Sequence, residues 1–593
     1  MATISPVALI SNPLCSIDIY PYESNSSYTL NGAQVLECTT QKQLRDNGGS
    51  ASIILAPGGP NGQGFPSWAQ VITLQSLVVI AMQRGYKSNV VFVGVVREVG
   101  EAESWDTGPG VSRNTVITAM DWGAWFQDFN WSALTFLAVT NGAAYAASQQ
   151  LPPEMGLPGL ELGLIGSNPG QIASGWYSKI MGGTQGILSG TQIQYAGQTY
   201  SWPTATTAFF EDYPYGATWP SANYYISQAG SWYDKFSEIF EAPYYELIVG
   251  TAPYGAWNPS LQSSSPVQGQ STVNSKELYG VAQGSVSLNN GGTAWVSPGI
   301  PFTSKGLPNA VPAYAQVVGR VCPLPDLMVS DQTQTATGLQ GQQAYIYSGV
   351  DMSRWMSLQY YELDLDAGFN SSSTALVLQD YYNFFVLNPT AIKQFWKVDS
   401  SPGVFMYAYS GAANVAGIHR FGYRAMIRDT MWLVDQNYVV SESEDPSVAM
   451  QNLVAGLTTR LATFYTPTAI MESANVIFRL SPDNFVGNVF TYSPFRGDEP
   501  WTFYINSVTH TWKFGGPSLT TLGLERGLPQ SVYQNQAIMQ QVLAGNAQRL
   551  KGHIVSGLPA NSGPALQTFG LAPDSVTTVL GQIAQIYKTP GGQ

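Results

Sequence analysis

A chain of 593 residues, 44% of them hydrophobic and only 11% charged, can bury a large core, which excludes a disordered protein. A net charge of −13 without any basic run excludes tight nucleic-acid binding, which needs clustered Lys and Arg on the phosphates. Cys15, Cys38 and Cys322 are too few and too scattered for a disulfide framework or a Cys-rich zinc site and read as buried thiols.

Gly, Ser, Thr, Asn, Gln and Tyr make up much of the rest, the profile of a β-rich protein with many turns. Uncharged polar surfaces suit broad, permanent subunit contacts, because burying an amide or hydroxyl costs less than burying an ion. An acidic wall also repels phosphate, so nucleic acid can slide past it without sticking. The opening MATISPVALISNP has no basic region and too short an apolar run for a signal peptide. The most apolar stretch, Leu74 to Val96, is broken by Arg84, Gly85 and Lys87 and reads as two strands and a turn, not a membrane span. Cytoplasmic synthesis and no membrane anchor are expected.

In chain order, five short strands are expected before residue 118: from Cys15, from Gln34 to Thr40, from Ala51, from Leu77 to Met82 and from Val90 to Val99. Gly turns separate them, which suggests a small barrel. Gly94, central in the last strand, marks a bend or close backbone approach. Aromatics at Trp122, Trp125, Phe126 and Phe129 follow an i, i+3, i+4, i+7 pattern and predict a helix. Ser231 reads as the N-cap of a second helix with Asp234 at its third position, an apolar face of Trp232, Phe236, Ile239 and Phe240, and a stop at Pro243. A strand follows from Tyr244 to Val249. Residues 255–310 are turn-rich and read as a long surface excursion. Strands return between 311 and 365, and residues 373–440 mix strands with short helices.

Asp445 as N-cap and Pro446 as first residue open the strongest helix signal in the chain, with Met450, Leu453, Val454, Leu457, Leu461 and Phe464 as its stripe. Strands from Asn475 and Asn488 then lead to the hairpin Pro500–Pro529. Its first strand alternates Thr502, Tyr504, Asn506, Val508, His510 and Trp512 on one face with Trp501, Phe503, Ile505, Ser507 and Thr509 on the other. Its return strand is expected to stop at Arg526-Gly527. A Gln-rich amphipathic helix, a linker near 557–564 and a last helix from Ser575 to Tyr587 complete the tail. The expected fold is mainly β with an α+β insert: a β-barrel domain (1–118), a mixed insert (119–330), a connecting α+β domain with the long helix (331–467), a second β-barrel (468–529) and a helical tail (530–593).

Four ordered stretches resemble the baseplate hub family of bacteriophage tails. The strands Gly49 to Leu55, Leu77 to Met82 and Val90 to Val99 are similar to that family's first barrel, and Ser112 to Gly123 to the strand-to-helix exit from it. Ile418-His-Arg-Phe-Gly-Tyr-Arg resembles an internal segment, with Phe421 where the family has Tyr and Gly417 where it has Ser. Tyr504 to Trp512 with Leu519 to Gly527 matches the closing hairpin of the second barrel most nearly. The resemblance implies a homotrimer whose two barrels per chain make a ring of six similar units, joining a six-fold tail tube protein to a three-fold central spike protein. Tape measure and wedge proteins are further implied partners, DNA crosses the channel without specific binding, and the site is the virion tail baseplate.

No catalytic residue, metal or cofactor is expected. His419, His510 and His553 lack any HxH, HExxH or Cys/His companion, and His510 reads as a hydrogen-bonded strand residue. Glu98, Glu101, Glu103 and Asp106 could supply a glycosidase acid pair ~5–10 Å apart, but a solvated or subunit-facing Gly-rich loop is preferred. Glu362, Asp364 and Asp366 read as a hydrated edge or channel wall, and Glu442, Glu444 and Asp445 as helix capping. In the tail, the thin apolar line Val532, Gln536, Met539 and Leu543 is the candidate partner contact. Alternatives from other classes are a tail-associated glycan or peptidoglycan hydrolase and a receptor-binding tail protein.

Overall fold

The computed structural model describes residues 12–22, 24, 26–61, 66–105, 111–128, 169–181, 192–211, 217–218, 231–253, 257, 284–287, 293–297, 299–322, 360–362, 369–376, 378, 380–388, 409–413, 415–429, 433–434, 457–458, 461–462, 464–465, 471–492, 500–529 and 567–571. Seven strands fill the first stretch: β1 (Leu14–Tyr20), β2 (Tyr28–Asn31), β3 (Val35–Gln43), β4 (Ser50–Leu55), β5 (Leu77–Arg84), β6 (Lys87–Trp105) and β7 (Val111–Asp121). A middle group comprises β8 (Gln192–Tyr195), β9 (Gln198–Ser201), β10 (Thr206–Glu211), β11 (Ala217–Thr218), β12 (Tyr245–Pro253), β13 (Gly284–Ser287), β14 (Thr293–Ser297) and β15 (Ala313–Val321). Then come β16 (Tyr360–Glu362), β17 (Phe369–Leu376), β18 (Phe384–Asn388), β19 (Tyr409–Ala413), β20 (Ala425–Asp429) and β21 (Leu433–Val434). The last are β22 (Glu472–Arg479), β23 (Val489–Tyr492), β24 (Trp501–Lys513), β25 (Leu519–Pro529) and β26 (Gln567–Leu571). The protein is mainly β, and no helix among the described residues is long and apolar enough to cross a membrane.

One sheet of 13 strands dominates. Its path runs β17-β22-β25-β24-β3-β4-β7-β6-β5-β1-β2, with β16 and β23 attached beside β24. Strands expected in two separate barrels are thus joined edge to edge where β24 pairs antiparallel with β3. Two of the strands, β16 and β17, come from residues 360–376. Over its N-terminal part the sheet curls around one core: Ile17, Val35, Cys38, Ile53, Ile80 and Ile117, from five or more strands, pack together, and Trp512 of β24 joins them.

The run Leu77-Val-Val-Ile-Ala-Met is apolar at every position because β5 is covered on both faces. Val78, Ile80 and Met82 enter the curled core, while Leu77, Val79 and Ala81 face a second core. That second core lies against a five-stranded sheet, order β12-β15-β10-β14-β13, and the helices 169–181 and 232–239. Continuous apolar strands are the expected signature of two-sided burial. Gly94 is placed as expected for a close approach: a Cβ there would overlap the Met120 carbonyl oxygen.

The helix Trp232–Ile239 forms as read, with Ser231 Oγ accepting from Asp234 N at 3.1 Å. The aromatic segment from Trp122 is helical over Ala124–Asp128, with Trp122 and Phe126 buried. Leu457, Leu461 and Phe464 of the long-helix stripe are helical and buried; Asp445 and Met450 lie outside the described residues.

Three expectations need correction. Residues 255–310 are not a surface excursion where described: Trp257 and Phe302 are fully buried, and β13 and β14 extend the five-stranded sheet. Turn-rich composition hid strands whose order is set by pairing, β14 with β10 and β13 with β14. The hairpin's return strand does not stop at Arg526-Gly527; Arg526 takes a left-handed φ of 58°. The ladder shifts there and resumes at Thr502↔Leu528 and Trp501↔Pro529, as a bulge allows. Finally, β6 does not end at Val99: Glu101 and Glu103 lie on it with Glu98 rather than in a loop, because pairing with β7 carries the strand to Trp105. The expected tail helices lie outside the described residues, whereas Gln567–Leu571 is a strand paired with β19.

Candidate functional site: the inter-sheet joint and the charged surfaces

The most elaborate polar cluster sits where the five-stranded sheet meets the β24–β25 hairpin. Glu246 and Arg320 are Cα partners on β12 and β15, each the one charged residue of its strand. Arg320 donates from Nε (3.0 Å) and Nη2 (2.9 Å) to Glu246 Oε2, from Nη1 to the Trp257 carbonyl (2.8 Å) and from Nη2 to the Gly487 carbonyl (2.9 Å). Tyr504 of β24 donates to the Glu246 carboxylate at 2.8–2.9 Å and accepts from Arg320 Nη2 at 2.9 Å. All three are buried. Burial, reinforced by the Glu246 charge, pushes the Tyr504 hydroxyl well up, so it stays a donor. Burial works against the Arg320 guanidinium, but Tyr504 and Glu246 more than offset it. Satisfied donors and a paired charge are what a buried ion pair requires.

A second joint lies alongside. Lys42 of β3 donates to the Val249 carbonyl, Trp122 Nε1 to the Gly250 carbonyl at 3.0 Å, and Thr251 Oγ1 to the Val93 carbonyl at 3.0 Å. Burial lowers Lys42 and raises Asp121, and each charge opposes the other's shift. A cavity of about 270 Å³ opens nearby, between Arg45, Asp380, Phe464, Tyr465, Glu525 and Arg526. Arg526 stacks 4.0 Å from the Phe464 ring centroid, and Arg45 faces Glu525 at 3.6 Å. These groups hold one another; none is poised as a nucleophile beside a base.

His510 is buried, its Nδ1 2.9 Å from Thr520 Oγ1. Burial pushes it down to about 4, with Asp483 opposing, so the ring is neutral at pH 7 and serves the hairpin. His419 is exposed on the helix Val415–Phe421, and His553 lies outside the described residues. Glu101 accepts from Ser67 Oγ at 2.9 Å and Glu103 pairs with Arg113 at 2.9 Å, so each carboxylate is engaged by its own partner. Glu362 is on β16. Asp106, Asp364, Asp366, Glu442, Glu444 and Asp445 lie outside the described residues, as do Val532, Gln536, Met539 and Leu543. Among the described residues no three His, Cys, Asp or Glu side chains are grouped to hold a metal ion. Sequence reasoning missed Glu246 and Arg320; the available signal was one charge in each of two apolar strands, ELIVG and VVGRV.

No protein-family model and no curated protein matches the chain. Solved structures do. A 43 kDa tail protein of prophage MuSo2 from Shewanella oneidensis aligns over 87% of this chain and 98% of its own, at 8% identity and a TM-score of 0.36. A tail protein from Neisseria meningitidis MC58 aligns over 88% and 99%, at 7% identity and 0.37. The prophage tail protein gp18 from Listeria monocytogenes EGD-e aligns over 89% and 99%, at 9% identity and 0.31. Likeness at these scores assigns no function.

Proposed function

We propose that this chain is a structural, non-enzymatic hub of a phage tail baseplate. Three copies form a ring that adapts a six-fold tail tube to a three-fold central spike and leaves a channel for DNA. The observation that carries the proposal is the ladder from Ser507↔Gln43 to Lys513↔Glu37, which makes the N-terminal strands and the closing hairpin one wall. A chain that sets two strand groups side by side contributes two similar units per copy, so three copies supply six. The segments bearing the family resemblance support it too: β4, β5, β6, the turn from β7 into the helix 124–128, the helix 415–421 and the β24–β25 hairpin all form where the motifs lie.

In this assembly the tube and spike proteins contact opposite rims, and tape measure and wedge proteins are further neighbours. Val532, Gln536, Met539 and Leu543 are the residues we assign to partner contact. The assembled protein belongs to the virion tail baseplate. Mass measurement of the purified full chain tests the proposal: a trimer is expected, and a stable monomer or a six-chain ring would overturn it. Release of sugar or peptide fragments from peptidoglycan would instead favour a hydrolase.

A further inference from the structure

Three arginines of this acidic chain, Arg420, Arg424 and Arg428, fall within nine positions, with His419 beside them. They lie on and just after the helix Val415–Phe421 and on β20, the outer strand of the sheet β20-β18-β19-β26. Arg428 is occupied by Glu241 at 3.4 Å. Arg420 and Arg424 are exposed: Arg420 lies over the Phe421 ring at 4.9 Å and Arg424 donates to the Leu378 carbonyl at 2.8 Å, and neither has an acidic partner among the described residues. Ile427, 70% exposed, stands just beyond them on β20. The patch therefore combines unneutralised guanidinium groups, an apolar side chain and a strand edge unpaired among the described residues.

A complementary surface exists elsewhere on the chain. Beyond Val96, which bonds Gln75 and Ser76, β6 pairs with β7 alone among the described residues, so its outer edge is open. Glu98, Glu101 and Glu103 are exposed along it, and Arg113 neutralises only Glu103. No ion pair joins this arm to Arg420 or Arg424 within one chain among the described residues.

We propose that the acidic β6–β7 arm of one copy docks on the Arg420–Arg424 patch of the next. This inference rests on the trimer proposed above and names the contact that holds it. The contact is head-to-tail: each copy offers an arm and a patch, so closure uses every arm once. Opposite charges on separate surfaces favour encounter and register and disfavour wrong pairings. A phosphate-bearing ligand fits less well, since the chain's net charge is −13 and two free guanidinium groups give little counterion release.

The test compares full-length protein with R420E/R424E, with E98R/E101R, and with all four substitutions together, measuring the concentration for half-assembly by mass photometry and sedimentation. Each single-surface variant should need about 10-fold or more protein to assemble, whereas the four-fold charge swap restores assembly to within about 3-fold. Raising salt from about 0.05 to about 0.5 M should weaken wild type and the swap alike. Circular dichroism and thermal midpoints confirm that the variants fold. A trimeric wild type whose single-surface variants remain trimeric overturns this contact alone, as does a loss that the swap fails to restore. A monomeric wild type overturns the trimer and the contact with it. Loss of retention on a nucleic-acid column with assembly unchanged would assign the patch to phosphate and overturn the proposal.

Discussion

Glu246 and Arg320 face each other across β12 and β15, and Tyr504 reaches the same carboxylate from β24. One carboxylate thereby ties the five-stranded sheet to the hairpin of the large sheet. Three groups of different charge state close on themselves, so no formal charge is left unpaired within this joint. Removing one member should therefore cost more than removing the pair.

Arg320→Met strands the Glu246 carboxylate and should cost about 3–5 kcal/mol. The double variant Glu246→Leu with Arg320→Met should cost less, because neither charge remains. Tyr504→Phe removes a donor and should cost about 1–3 kcal/mol. Thermal and urea unfolding of the three variants check the order; a double variant less stable than Arg320→Met would contradict it.

His510 and Glu241 should give stability opposite dependences on pH. The folded His510 lies near 4 against an ordinary value of 6.5, so the unfolded chain binds more protons between these values. Its neutral form is fully stabilising above pH ~6.5, and that contribution, up to about 3 kcal/mol, is lost as pH falls toward 4. Glu241 is raised by burial to about 7 against 4.5, with Arg428 opposing. Its contribution is present below pH ~4.5 and is lost as pH rises through 7. His510→Gln should lower the midpoint at pH 7 and flatten the fall between pH 6.5 and 4. Glu241→Gln should flatten the decline between pH 4.5 and 7. Unfolding midpoints across this range test both.

Gly94→Ala should destabilise the curled sheet by about 1–3 kcal/mol, because the new methyl meets the Met120 carbonyl oxygen on the neighbouring strand. Gly100, on the same strand but with open space at its Cβ position, is the control: Gly100→Ala should leave the midpoint within about 0.5 kcal/mol of wild type.

Ser231→Ala removes the acceptor for Asp234 N and should cost about 0.5–2 kcal/mol. The loss is expected in hydrogen exchange of the Trp232–Ile239 amides before the curled core is affected.

Local chemistry alone was enough for the elements whose signals are local. The β24–β25 hairpin, the Ser231 cap and the Leu77 and Val90 strands were legible because alternation, capping side chains and turn glycines act within a few residues. His510 was readable as structural for the same reason: no companion stood near it in the chain. The end of the β6–β7 arm, with Glu101 and Glu103, was not legible as strand, since Gly100 and the carboxylates have weak β preference and only pairing with β7 extends it. β13 and β14 were hidden likewise. Neither the β3–β24 ladder nor the Glu246–Arg320–Tyr504 joint could be read in advance. Ser507 and Gln43 are more than 460 positions apart, and no periodicity records such a distance. The sequence by itself determined the strands with local turn and alternation signals and which of their faces are apolar; burial and edge pairing decided the remaining strands, that the two ends share one sheet, and where buried charges had to be paired.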